Sequence, residues 1–486
     1  MFAGQEIQER TAYNSFNYSP VFDEEHRIVG FPEMDGIDGS EINYNALGGT
    51  GKSVSKMSSF FANASYSYLD KYILTGALRY DGSDIIGNDN QFTPLWNVGL
   101  RLNLHREEFM KRWMWVDQFA VRGGFGYTGS IDKNALPFVV MTLGQSVVYD
   151  GQTVPTSFSY PNPNVKWQTK QDMNVGLDLS LFDYRLELGV NYYHNITRDV
   201  LDRKALPYSS GRNEVTENVA DIYNSGWEID LGVTLLKNKS FQWYAKANIA
   251  INDNKVKNTY YKETKDLPKA TLSNAHQFVE NQPVNGWYGY KFAGINPING
   301  AVMTYTGNGE ATLDMSVSGA TWPTPSVFYL GNLTPPVVGG FSTSANWKQL
   351  IFSANFEFKT GHKIKSFNTF RSLDARNRHT SEANRWREPG DITNVPAMSE
   401  AFTTYSSYMY DILLEKGNYL RCSYMTLGYN LKPEWLHKIG FSTARLSFTA
   451  KNLFTISSYS GIDPALMGSF GYPNSRKYTI TLNVGF

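Results

Sequence analysis

Successive side chains of a β-strand point to opposite faces, and this chain is written in that alternation over most of its length. The last ten residues, KYTITLNVGF, place Tyr478, Ile480, Leu482, Val484 and Phe486 on one face and Lys477, Thr479, Thr481, Asn483 and Gly485 on the other. YRLELGVNYYH sets Leu186, Leu188, Val190 and Tyr192 against Arg185, Glu187, Gly189 and Asn191. LWNVGLRLNL, MNVGLDLSL, WEIDLGVTL and FSANFEF repeat the pattern. About thirteen such segments recur, near 56–69, 71–82, 93–105, 117–128, 166–181, 184–198, 219–236, 241–256, 337–348, 350–361, 411–430, 443–456 and 475–486. The first ten residues read as the end of another. One phase slip, in YLRCSYMTLGY, separates Leu420, Cys422 and Tyr424 from Met425, Leu427 and Tyr429, and a β-bulge would reconcile the two sets.

A half-exposed soluble sheet alternates too, so strand length and the identity of the alternating residues decide. These segments reach the roughly 9–11 residues of a membrane-spanning strand. Their apolar faces are almost uncharged, and aromatic residues stand near the ends, as Tyr72 and Tyr80 flank Leu74, Gly76 and Leu78. That is the pattern of a lipid-facing band between aromatic girdles. Composition agrees, with 15% aromatic residues and negative mean hydropathy. No run of eighteen apolar residues exists, which excludes a helical span but not a strand-built one.

The links sort as an up-and-down barrel requires. Short turns at Leu69-Asp70-Lys71, Phe182-Asp183-Tyr184, Lys237-Asn238-Lys239 and Lys348-Gln349 take turns with long connections near 129–165, 199–218, 257–336 and 362–410. Two links, 106–116 and 431–442, are intermediate. The expected fold is therefore all-β: an antiparallel transmembrane β-barrel with short periplasmic turns and long extracellular loops. Its final strand is expected to close a ring, because unpaired backbone groups are costly in hydrocarbon.

Nine blocks carry a resemblance. Among them are YSYLDKYILTGALRYDGSD (66–84), NPNVKWQTKQDMNVGLDLSLFDYRLELGVNYYHNITRDVL (162–201), GWYGYKFAGINPINGAV (286–302), LGNLTPPVVGGF (330–341), RWREPGDITNVP (385–396) and KNLFTISSYSGIDP (451–464). In order and spacing they resemble the C-terminal barrel of SusC/RagA-family TonB-dependent outer-membrane transporters. The resemblance implies a barrel of about 22 strands filled by a plug, of which this chain would supply about 13–14 strands. It also implies import of large nutrients, oligosaccharides (glycans) or oligopeptides, across the Gram-negative outer membrane. TonB would supply energy, and a SusD-like surface lipoprotein would be the partner and lid. Residues 1–486 are expected to be the C-terminal part of such a receptor, with plug, TonB box and signal peptide outside this chain. A fragment, a truncated product or half of a split transporter would each fit. The set at Tyr478, Ile480, Leu482, Val484 and Phe486 is similar to the signal read by the barrel-insertion machinery.

Candidate sites are few. The polar face carries Arg79, Arg101, Glu187, Glu228, Asp230 and Glu357, which would line the lumen or meet a plug. Aromatic residues crowd the outer loops, and Trp287, Tyr288, Tyr290 and Trp322 are candidate substrate contacts, since sugar C–H faces stack on such rings; mutual packing of the loops is the alternative. The loop with Asp81, Asp84, Asn88, Asp89 and Asn90 offers oxygen ligands of the kind calcium takes, without EF-hand order. GFGYTG (124–129) matches a dinucleotide fingerprint, but Phe125 and Tyr127 continue an apolar strand face and no helix follows. Seven scattered His residues form no metal motif, one Cys allows no intrachain disulfide, and no nucleophile elbow occurs, so no catalytic activity or cofactor is expected. Forty-five basic residues balance forty-five acidic ones, which gives nucleic acid no electrostatic footing. A passive porin-like channel and a surface-binding barrel remain the alternative functions.

Overall fold

The computed structural model describes residues 1–17, 21–22, 28–30, 48–84, 86, 91–131, 141–149, 152–158, 166–205, 209, 214–264, 278–313, 326–366, 383–397, 410–436, 440–467 and 471–486. Fourteen strands follow one another in chain order through one antiparallel sheet. They are β1 (Phe2–Asn17), β2 (Gly48–Tyr68), β3 (Tyr72–Ser83), β4 (Phe92–Asn103), β5 (Val116–Ser130), β6 (Gln168–Leu181) and β7 (Leu186–Ala205). Then come β8 (Glu214–Lys237), β9 (Phe241–Lys257), β10 (Val337–Trp347), β11 (Leu350–Thr360), β12 (Tyr419–Asn430), β13 (Thr443–Lys451) and β14 (Lys477–Gly485). The short strand Thr455–Ser457 also pairs with β12.

Several strands outrun the periodic stretches in the sequence. β1 is a full strand of 16 residues, and β2 begins at Gly48 rather than near 56. The segment expected over 411–430 divides, because Leu414–Lys416 leaves the wall to pair with Lys363–Lys365. The closed ring expected of the final strand is absent from this sheet: among the described residues β14 pairs only with β13 and β1 only with β2. A ring closes only where strand number, tilt and stagger agree, and these strands make an open wall.

Register turns the alternation into continuous rows. Tyr72, Leu102, Val121, Leu177, Val190, Ile229, Ile249, Gly339, Phe358 and Leu420 lie opposite one another in turn across ten strands. Not one is charged. The apolar face points outward: Leu74, Leu78 and Ile480 are 50%, 55% and 74% exposed. The predicted slip in β12 is present, with Ser423 left without a partner in β11. The bulge keeps Leu420, Cys422, Met425 and Leu427 on the apolar face and moves Tyr424 to the other.

Aromatic rings mark the end of the wall that carries the short turns, where Trp113, Trp115 and Phe182 stack at 6.2 and 5.8 Å. The tight turns there use left-handed backbone at Leu69, Asp70, Phe182, Asp183, Tyr184 and Lys348. The intermediate link folds back in two 3-10 turns, Leu104–Arg106 and Met110–Arg112. Its Glu107 accepts from the Tyr72 hydroxyl at 2.7 Å and from Lys71 at 3.1 Å, and these two partners hold the carboxyl below its ordinary range. Arg106 pairs with Asp70 at 3.0 Å on the same rim.

At the other end, two long loops build a cap with its own dry core. Small strand pairs, Gly286–Gly289 with Phe328–Asn332 and Phe292–Ile295 with Val302–Tyr305, frame a cluster of Val279, Tyr288, Tyr290, Ile295, Val302 and Tyr410. The second loop is sewn in through backbone bonds: Asp411 N–H donates to Tyr290 O and Gly390 N–H to Pro297 O. The Trp287 indole N–H donates to Lys363 O at 2.8 Å. A third loop docks through Asp463, which accepts from the Arg421 guanidinium and from the N–H of Ala465 and Asn474.

Candidate functional site

The wall carries its charges on the face opposite the apolar rows. Arg101 and Arg122 lie directly opposite each other on β4 and β5, an arrangement that like-charge repulsion disfavours. Asp178 on β6 resolves it, 3.0 Å from Arg101 and 3.6 Å from Arg122. Arg79 bonds Asp81 at 2.5 Å and Glu6 at 3.1 Å. Asp230 lies 3.8 Å from Lys246, and Glu357 lies 3.9 Å from the buried Arg421. Glu228 accepts from Asn191 at 3.3 Å, and Glu187 lies beside Gly232 on the neighbouring strand. These six sequence candidates thus share one face but are spread along it, and do not converge on one point.

The loop aromatics sit elsewhere. Trp287, Tyr288 and Tyr290 are 7%, 2% and 1% exposed: Tyr288 and Tyr290 lie inside the cap core, 6.0 Å from Tyr329 and 6.1 Å from Tyr410, and Trp287 packs in a separate cluster with Leu330 and Leu414. The structure gives these rings to loop packing and leaves them no open face for a ligand; Trp322 lies outside the described residues. Burial, then Tyr329, pushes the Tyr288 hydroxyl up. In the acidic loop, Asp81 is held by Arg79 and Asp84 accepts from the Lys56 backbone N–H at 3.0 Å. Asn88, Asp89 and Asn90 lie outside the described residues. Among the described residues no three His, Cys, Asp or Glu gather into a metal-binding group. Tyr478, Ile480, Leu482 and Val484 form the outward face of β14, 36–74% exposed, and Phe486 packs on Phe441 at 5.3 Å.

A convergent site does exist, and it is built of amides. A cavity of about 520 Å³ opens on the charged face where β8 and β9 meet the cap. Its wall is Asn224, Asn252 and Asn254, its roof Asn281, Asn285 and Asn332, with Tyr329 and three prolines between. The strands place the lower three by alternation: Asn224 shares the face of Glu228 and Asp230, and lies opposite Asn254 in register. The roof is fixed to the wall by backbone bonds from Val256 N–H to Gln282 O and from Asn252 N–H to Pro336 O.

One glycine makes the wall possible. In register Gly226 stands between Tyr193 on β7 and Asn252 on β9. The Tyr193 hydroxyl crosses it to donate to Asn252 Oδ1 at 2.8 Å. A Cβ on Gly226 would sit 2.5 Å from that hydroxyl and 2.3 Å from Ile251 O, so any larger residue blocks the crossing. The cavity's two charges, Asp253 and Lys255, pair with each other at 2.7 Å. Burial pushes the Tyr329 hydroxyl up to about 12, so it stays a neutral hydrogen-bonding group. The periodic reading of the sequence passed over these amides because it tracked charge and aromaticity. Their signal was present in INDNK (251–255), where amides replace charges at the loop end of the polar face.

The family described as TonB dependent receptor-like, beta-barrel matches residues 3–357. TonB-dependent receptor P3 of Formosa agariphila is 29% identical over 88% of this chain and 45% of its own length. TonB-dependent receptor SusC of Bacteroides thetaiotaomicron is 23% identical over 88% of this chain and 43% of its own. The chain spans about half the length of the curated relatives it matches. A solved structure of the RagAB peptide importer in its open-open state superposes with a TM-score of 0.78 over all of this chain and 52% of the other, at 24% identity. That likeness shows a shared fold. The apolar belt, the opposed charged face and the family match place the wall in the Gram-negative outer membrane. The chain belongs to the TonB-dependent receptor-like β-barrel family.

Proposed function

We propose that this wall and cap serve the TonB-dependent import of large polar nutrients, oligosaccharides or oligopeptides, across the outer membrane. The observation that carries the reading is the placement of the amide cavity. It lies on the charged, water-facing side of the wall and directly under the cap, so a ligand entering between the loops meets it before the lumen. Import would draw energy through TonB and work with a SusD-like surface lipoprotein as lid. The chain's own residues bind, orient and admit; no catalytic step is assigned to them.

A passive channel would also carry a charged lumen. Uptake of a radiolabelled nutrient mixture by cells expressing the full protein, with and without tonB, separates the two. The importer reading expects accumulation against a gradient to disappear in the tonB strain. Entry at an unchanged rate without TonB, down the gradient only, would favour the porin-like alternative.

A further inference from the structure

Three of the cavity's amides, Asn254, Asn224 and Asn281, are not free to turn either way, because their orientation is set by groups that can only donate. The backbone N–H of Val284 donates to Asn254 Oδ1 at 2.7 Å. Asn254 must then present Nδ2 to its neighbour, and that Nδ2 donates to Asn224 Oδ1 at 2.6 Å. Asn224 is thereby forced to turn its own Nδ2 away from this chain of bonds. The roof repeats the logic: the Lys257 ammonium, a pure donor, occupies Asn281 Oδ1. The Tyr193 hydroxyl occupies Asn252 Oδ1 and the Tyr329 hydroxyl Asn332 Oδ1. Five amide oxygens are thus spent on the protein, whereas Asn285 in the roof spends its Nδ2 on Thr334 Oγ1 at 3.1 Å. The Nδ2 groups of Asn224, Asn252, Asn281 and Asn332 make no hydrogen bond to other described residues.

The cavity therefore presents mainly donors, four uncharged amide Nδ2 groups beside the one open oxygen of Asn285. A ligand rich in acceptors satisfies the four donors; hydroxyls can accept there too, but among the cavity's amides only the Asn285 oxygen is left to take their hydrogens. An anionic acceptor would meet Glu228 on the same face of β8, four residues below Asn224; of the two lysines at the cavity, Lys255 is paired with Asp253 and Lys257 is bonded to Asn281. Taking a charge from water without a partner is expensive, which turns the site away from carboxylates and sulfates.

We infer that the amide cavity is a binding site for uncharged amide carbonyls, the group shared by a peptide main chain and an N-acetylated sugar. The assignment rests on the importer reading for how ligand arrives, but not for how it binds. Binding to the full-length protein in detergent is measured by calorimetry with four probes: an N-acetylated, C-amidated hexapeptide of alanine and glycine, chitotriose in its N-acetylated form, maltoheptaose, and an oligogalacturonate. One of the two amide-bearing probes is expected to bind at least about tenfold more tightly than maltoheptaose and the oligogalacturonate, and which one does so identifies the source. Asn224→Asp is nearly isosteric and keeps an oxygen for Asn254 Nδ2, but replaces the outward donor with an acceptor. It is expected to weaken the preferred probe about tenfold or more and to narrow its margin over maltoheptaose. Equal binding of maltoheptaose, tighter binding of the oligogalacturonate, undiminished binding in Asn224→Asp, or no binding of any probe would each overturn the assignment. TonB-dependent uptake that persists alongside such a result leaves the importer reading standing; its loss in the unsubstituted protein, with probe binding intact, does the reverse.

Discussion

The wall and the cap use the same residue types in opposite ways. In the wall, aromatic and aliphatic side chains alternate with polar ones, stand largely exposed, and touch one another only along rows of the sheet; Leu78 and Ile480 are more than half exposed. In the cap, Tyr288, Tyr290 and Tyr410 lose almost all their exposure to one another. An apolar face that wide without a covering layer is stable only against hydrocarbon, whereas the cap generates its own apolar environment as a water-soluble domain does. The two regions therefore answer to different solvents, and substitutions should separate them.

The largest effect is expected inside the cap. Tyr290→Ala removes a fully buried ring and should cost about 3–5 kcal/mol locally, read as new protease cleavage within 257–336 and 362–418 while far-ultraviolet circular dichroism of the wall is retained. Collapse of the wall together with the cap would show that the two are one cooperative unit. Next comes the wall's outward face. Ile229→Arg should destabilise the inserted protein by about 2–4 kcal/mol, measured by denaturant unfolding in lipid vesicles. Glu228→Arg, one residue away on the opposite face, should cost distinctly less. Equal penalties would erase the distinction between the faces.

How much of this was readable beforehand differs by region for the same physical reason. A strand's alternation is local, so Val190, Ile229 and Ile249 declare their face without knowledge of any neighbour, and even the slip at Ser423 could be located to within a residue. The amide cavity depends on register across three strands and on two loop segments, and nothing local in Asn224 announces that it will face Asn254. Trp287, Tyr288 and Tyr290 show the complementary limit, since an aromatic loop residue reads alike whether its ring packs inward or stands open. Gly226 was legible as a small residue in NSGWEIDLG, but its purpose appears only once Tyr193 is seen to cross it.

Gly226→Ala gives a smaller test that joins the two regions. It should break the Tyr193–Asn252 bond, cost about 1–3 kcal/mol, and loosen the preferred amide ligand without altering the protease resistance of the cap. Smallest is an acid response at the seam. His362 is buried beside Gly417, and burial, then Lys359, holds its imidazole below the ordinary value. The folded state then binds fewer protons than the unfolded chain between those two values. The stability His362 contributes is present at neutral pH and is lost as pH falls from the ordinary imidazole range through the depressed one. Protease resistance of the cap should decline over that window, and His362→Gln should flatten the decline; an unchanged acid profile in the variant would assign the response to other groups.

The most direct measurement is a nitroxide scan of β8 in lipid vesicles, with Cys422→Ser as background and single cysteines placed from Trp227 to Gly232. Collision with oxygen, which concentrates in hydrocarbon, is expected to peak at 227, 229 and 231, and collision with a water-soluble nickel complex at 228, 230 and 232. Protection from both reagents at 227, 229 and 231 would mean that these side chains are packed against protein, and the membrane wall would have to be abandoned.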